Sequence, residues 1–133
     1  MPESQGDSRG ESWKQGQGVP EQENVDPKTG GSKNSKPEEV DLVDPEFIRA
    51  VARVLHIGKL KYEARNWERG YRWGLSYAAA QRHMLAFWSG EDTDPDSGLP
   101  HIAHAATHMM FLLLFSTHEQ YADHDDRSKI GDV

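Results

Sequence analysis

A chain of 133 residues with 22 Asp and Glu against 15 Lys and Arg has the length of one domain, and its net charge of -7 excludes a sequence-independent nucleic-acid binder, which needs a basic surface. The absence of cysteine fits an intracellular protein and leaves no disulfide to support a small core. The longest apolar run, Met109 to Phe115, falls far below the ~20 residues that span a bilayer, and the opening MPESQGDSRG lacks the basic and apolar regions of a secretory signal, so a cytoplasmic protein with no membrane partner is expected.

Residues 1–36 contain only Val19 and Val25 among Val, Leu, Ile and Phe, with Trp13 as the single aromatic. Such a segment buries too little apolar surface to offset its ordering entropy, and disorder is expected there. The folded domain is placed at 37–122. Its first helix is announced by Asp44-Pro45-Glu46, an N-cap, a first-turn proline and an acid that complements the helix dipole. Phe47, Ile48, Val51, Val54, Leu55 and Leu60 follow near the helical period, which predicts a helix to Arg65 with Gly58 as a weak point. A loop with Gly70 and Gly74 comes next, then a second helix capped by Ser76 and ended by Gly90. The third helix starts after Pro100 and runs to about Tyr121. Its second half is apolar on every side, which predicts burial all round. No stretch alternates at period two, so strands are not expected. The fold class is therefore all-α, a small antiparallel bundle of about three main helices, completed by oligomerisation to a homodimer or homotetramer. Residues 123–133 read as a loose polar tail.

Residues 90–108, GEDTDPDSGLPHIAHAATH, place Glu91, Asp92, Asp94 and Asp96 just ahead of His101, His104 and His108. On a helix the three histidines share one face. If the second and third helices pack antiparallel across this loop, His83, Glu91, Asp94, His101 and His104 converge. A mixed nitrogen and oxygen set suits Mn²⁺, Fe²⁺ or Zn²⁺, and the carboxylates alone would suit Mg²⁺. The plainer reading is also open: isolated helical histidines commonly serve packing, and an Asp-Pro-Gly loop is commonly just a turn. His108, His118 and His124 are taken as bystanders. No HExxH pattern, Walker loop or GxSxG elbow is present, and the His124-Asp125 doublet lies in the tail without the companion ligands that such pairs require.

A second group lies in KLKYEARNWERGYRW, residues 59–73. Lys59, Lys61, Arg65, Arg69 and Arg72 suit phosphates, Asn66 a base edge, and Trp67, Tyr71 or Trp73 a stacked base, with Glu63 a further carboxylate. Equally, basic residues at a helix end complement its dipole, and aromatics fasten a loop.

The strings FIRAVARVLHIGKLKY (47–62), KYEARNWERG (61–70) and RHMLAFWSGEDTDPDSGLPHIAHA (82–105) resemble the phage dATP/dGTP diphosphohydrolase family, whose pattern is approximately G-x-x-KY-x-x-x-NW, then RH, then GE-x-x-D-x-x-SGL-x-H-x-A-H-A. The likeness runs from residue 41 to about 115. It implies an all-α, MazG-like nucleotide pyrophosphohydrolase, an oligomer that splits a nucleoside triphosphate into monophosphate and pyrophosphate with divalent ions. The resemblance extends to the branch from phages that replace adenine by 2-aminoadenine, which implies (d)GTP as substrate and (d)GMP as a precursor. The wider superfamily holds its ions with ExxE and ExxD pairs; here Glu91-x-x-Asp94 is the pair in the middle of the domain, with His101 and His104 where carboxylates would stand. Carried onto this sequence, the catalytic residues are Glu63, Glu91 and Asp94. Two or three Mg²⁺ or Mn²⁺ ions fall to Glu63, His83, Glu91, Asp94, His101 and His104, and substrate binding to Lys61, Asn66, Trp67 and Arg82. Lys33 and Lys36 are weaker phosphate candidates. The alternatives are a dATP or broad purine pyrophosphohydrolase and a helical scaffold with an incidental His and Asp patch.

Overall fold

In the computed structural model, which describes residues 20–128, the chain divides into two units after Asp44. The first holds an antiparallel hairpin of β1 (Gln22–Val25) and β2 (Ser32–Ser35), with Gln22 opposite Ser35 and Val25 opposite Ser32. Its loop is built by Asp26, whose Oδ1 accepts the N–H groups of Lys28 and Thr29 at 2.8 and 2.9 Å. The Gly30 N–H closes onto the Asp26 carbonyl at 2.9 Å, with Gly30 at φ +74°, a conformation glycine adopts without strain. Across the strands Asn24 donates to the Ser35 hydroxyl, and Lys36 pairs with Glu21 at 2.9 Å. This corrects two expectations, that no strand forms and that residues up to 36 are disordered; residues 1–19 lie outside the described residues. The strands are polar and exposed, so no apolar alternation marks them. The turn chemistry specifies the hairpin instead.

The second unit contains α1 (Pro45–Lys61), α2 (Trp73–Trp88) and α3 (His101–Thr117). Helix α1 begins where the Asp-Pro-Glu signal places it and stops short of Arg65, which sits in the left-handed region at φ 60° and opens a 3-10 turn, Asn66–Arg69. Val54 is its buried residue, while Phe47, Ile48 and Leu60 remain exposed. Ser76 of α2 meets His108 of α3 and His83 meets His101, so these two helices run antiparallel.

The core gathers Trp73, Phe111, Phe115 and Tyr121, with Leu55, Trp67, Tyr71, Met110 and Leu112 against them. Trp67 stacks on Phe111 at 4.9 Å, and Tyr71 meets Phe115 edge-on at 5.1 Å, both favoured aromatic geometries. Ser76 is not the cap of α2: the helix begins earlier, at Trp73, and Ser76 is fully buried inside it. The cap comes from the far end of the chain. Asp126 accepts the Gly74 N–H at 2.8 Å and the Arg72 guanidinium at 3.1 Å, which holds its carboxyl below the usual range.

Helix α3 ends at Thr117, not Tyr121, because His118 is extended and a 3-10 turn, Glu119–His124, follows. That turn buries Tyr121, whose hydroxyl donates to the Glu68 carbonyl at 2.7 Å. Beyond it Arg127 lies 4.7 Å over the Trp73 ring. The expected loose tail is therefore held at Asp126 and Arg127, and residues 129–133 lie outside the described residues. Burial of α3 is also one-sided in the single chain, since Met109 and Leu113 remain 49% and 47% exposed.

Candidate metal centre between helices α2 and α3

The inward face of α2 carries Trp73, Ser76, Ala80 and His83, and that of α3 carries His101, His104, His108, Phe111 and Phe115. The seam between them is thus aromatic at one end and polar at the other. The loop that joins the polar ends is shaped residue by residue. Gly90, at φ +102°, ends α2: its N–H reaches the Phe87 carbonyl at 3.0 Å and the Glu91 N–H reaches Ala86 at 3.1 Å, a Schellman closure that aims Glu91 back toward the seam. Asp94-Pro95-Asp96-Ser97-Gly98-Leu99 then repeats the bonding of the 26–31 loop. Asp94 Oδ1 accepts the Asp96 N–H at 2.8 Å, Gly98 at φ +74° closes onto the Asp94 carbonyl at 2.8 Å, and Asp94 N–H meets Leu99 at 2.9 Å. One Asp94 oxygen is thereby fixed to the loop. The other, Oδ2, lies 4.0 Å from His83 Nδ1 and 3.8 Å from His104 Nε2. The His101 N–H bonds to the Asp92 carbonyl at 2.9 Å, setting the start of α3 against this loop.

Three side chains converge: His83, Asp94 and His101 each offer a donor atom within 4.8 Å of the others, the group among the described residues that satisfies this. His101 is buried, and the other two are half-buried. His101 Nε2 lies 2.6 Å from Glu91 Oε1, so the carboxylate accepts its N–H and leaves Nδ1 as a lone pair facing His83 Nδ1 at 2.9 Å. This is the arrangement in which a carboxylate orients a metal-binding imidazole. His104 stacks on His83 at 4.5 Å and shares a hydrogen bond with Ser97 at 2.7 Å. Burial, then the neighbouring His104, lowers the pKa of His83, and burial lowers that of His104. Burial also brings His108 down to about 4. Neutral imidazoles are the form that binds metal. Two nitrogens and one oxygen, with further positions open, fit a borderline divalent ion of the catalytic kind.

A family described as dATP/dGTP diphosphohydrolase, N-terminal, matches residues 27–127, which include every residue of this cluster. The chain belongs to that family. A dATP/dGTP diphosphohydrolase of Salmonella phage PMBT28 is 42% identical over 73 residues, which is 55% of this chain. The match spans only 25% of that relative's length. No solved structure matches the chain.

Within this family domain the remaining candidates take different places. Glu91 serves His101, not the three-donor group itself. Glu63 is exposed and paired with Arg69, outside that group. Lys61, at the end of α1, is close enough to oppose protonation of His104, and Arg82 acts likewise on His83 and His108. Both are exposed cations on the rim of the cluster. Asn66 and Trp67 lie in the 3-10 turn, where Trp67 gives a face to Phe111 and so fastens the core. In the first unit Lys36 pairs with Glu21. Ser76 and Ser97 have no site role in the sequence reading, though the spacing of Ser76 and His83, two helical turns apart, places them on one face of α2.

Proposed function

We propose that this chain is a metal-dependent nucleotide diphosphohydrolase that cleaves a purine nucleoside triphosphate to its monophosphate and pyrophosphate. The observation that carries the reading is the group His83, Asp94 and His101, two imidazoles and a carboxylate with donor atoms within 4.8 Å, in a chain of the dATP/dGTP diphosphohydrolase family. A divalent ion held there, Mn²⁺ or Mg²⁺ in use, supplies phosphate charge neutralisation and an acidified water. The protein's own part is preorganisation. Glu91 holds the ring of His101, the loop amide of Asp96 holds Asp94, and stacking on His104 holds His83, so the donors need little rearrangement. Lys61 and Arg82 receive the triphosphate's negative charge at the rim. A base-edge role for Asn66 and a second-ion role for Glu63 complete the reading.

The substrate favoured is dGTP or GTP, on the likeness to the branch from phages that use 2-aminoadenine; dATP is the alternative, and the relative's name includes both bases. Exposed Tyr77, Leu85, Trp88, Met109 and Leu113 on α2 and α3 favour a homodimer or homotetramer. No helix among the described residues is long and apolar enough to cross a membrane. The test is a product assay with dGTP, GTP and dATP in Mg²⁺ and in Mn²⁺, resolved by ion exchange. Pyrophosphate with dGMP or GMP is expected. Inorganic triphosphate, or no product from any nucleotide, refutes the proposed reaction.

A further inference from the structure

The polar seam does not stop at the three-donor group. His108 Nδ1 lies 3.0 Å from Ser76 Oγ, and Ser76 Oγ lies 2.6 Å from the Tyr71 hydroxyl. Ser76 has no solvent exposure, so the middle of this row is shielded from water. Its serine is used unusually for this fold. The Ser and Thr hydroxyls of α3 bond back to their own helix: Thr107 to Ala103 at 2.8 Å, Ser116 to Leu113 at 3.0 Å and Thr117 to Leu113 at 2.8 Å. Such back-bonding satisfies a buried hydroxyl at little cost. Ser76 instead spans the seam to hold a histidine.

The row can run in two directions, and each leaves one proton without an acceptor among the described residues. If His108 donates from Nδ1, Ser76 donates to Tyr71 and the free proton is that of Tyr71. If Tyr71 donates to Ser76 and Ser76 to His108 Nδ1, the free proton is on His108 Nε2. The ring lies 6.5 Å from His83 in near-parallel alignment and one helical turn beyond His104, with the Arg82 cation nearby. We propose that His108 is a substrate-binding residue, whose Nε2–H, aimed by Ser76 and Tyr71, donates to a phosphoryl oxygen of the nucleotide bound at the His83–Asp94–His101 group. Ser76 and Tyr71 are positioning residues that act through it. The inference rests on the proposed hydrolase reading for its ligand class, and its neutral, fixed donor is the kind of group that stabilises charge developing on a phosphoryl oxygen.

The experiment uses the full chain labelled with ¹⁵N-histidine. Long-range proton–nitrogen correlations report which ring nitrogen of His108 carries the proton, before and after saturation with inorganic pyrophosphate and Mg²⁺. The expected result is an Nε2–H tautomer whose Nε2 signal moves on adding pyrophosphate. In Tyr71→Phe, which keeps the ring against Phe115, the tautomer becomes mixed. On dGTP, His108→Leu should lower kcat/KM by about 10²–10³-fold, as for loss of one preorganised donor. His108→Gln, whose amide N–H substitutes for Nε2–H, should recover at least about tenfold of it. An Nδ1–H tautomer in the wild type, an unmoved Nε2 signal with pyrophosphate bound, or full turnover by His108→Leu overturns the assignment while leaving the hydrolase reading intact. A wild type that cleaves no triphosphate but shows the pyrophosphate shift overturns the hydrolase reading and upholds the donor. Absence of both turnover and pyrophosphate binding overturns both.

Discussion

Acid should unfold this domain through His108 before its carboxylates are titrated. Burial brings that imidazole from 6.5 to about 4 in the fold, whereas in the unfolded chain it returns to its ordinary value. Between those values the unfolded state binds the extra proton, so stability rises with pH across the window; it is fully present above 6.5 and is lost as pH falls toward about 4. At about 1.36 kcal/mol per pH unit the difference amounts to about 3 kcal/mol. Solvent reaching a half-buried ring reduces this to about 2 kcal/mol. His83 and His104, lowered by burial as well, add in the same direction. A loss of that size is a large share of what a small single core supplies. Urea denaturation of the metal-free protein at about pH 7.5 and about pH 4.5 measures it, and His108→Gln removes the titrating group while keeping a polar side chain. The wild type should lose about 2 kcal/mol more than His108→Gln over that interval. Equal acid losses in the two proteins, or a wild type that gains stability on acidification, would refute the reasoning.

Three other substitutions test the scaffold and the orientation of the site. Gly70→Ala forces a side chain into φ +87° with its Cβ 3.0 Å from Tyr121 Cδ1, and should cost about 1–3 kcal/mol, read as a fall in Tm by calorimetry. Asp126→Ala removes the carboxylate that caps Gly74 across 52 residues; a lower Tm and faster hydrogen exchange at the first turn of α2 are expected, and an unchanged Tm would show that the docked tail is incidental. Glu91→Gln should weaken Mn²⁺ binding by about 10–100-fold without abolishing it, since this residue orients His101 and is not itself in the three-donor group. Calorimetric titration distinguishes that from complete loss, which would place Glu91 on the ion.

Helical periodicity made α1, α2 and α3 legible, and the spacing of His101, His104 and His108 made their common face legible. What periodicity could not show is division of labour. Glu91 and Asp94 look equivalent in the sequence, but the Schellman turn at Gly90 delivers one to the outer nitrogen of His101, while the Asp94 turn delivers the other to the donor group. The hairpin was hidden for a different reason. Its strands carry no apolar face, yet the loop residues Asp26-Pro27-Lys28-Thr29-Gly30 have the same turn chemistry as Asp94-Pro95-Asp96-Ser97-Gly98, and both loops make the same Asp-centred bonds. Polarity also concealed the docked C-terminal segment, because Asp126 and Arg127 attach by capping and by a cation over an aromatic ring, neither of which a hydrophobic pattern reports. Trp67 and Tyr71, attractive as base platforms in a basic loop, are held by Phe111 and Phe115 instead.

The proposed metal centre of His83, Asp94 and His101, where the triphosphate would be cleaved, is put to the test by Asp94→Ala, with turnover of dGTP in Mn²⁺ measured beside Mn²⁺ binding and circular dichroism. A helical spectrum like that of the wild type, loss of Mn²⁺ binding, and a rate lower by at least about 10²-fold are expected. Wild-type turnover by Asp94→Ala with Mn²⁺ still bound would place the ion and the chemistry elsewhere in the chain.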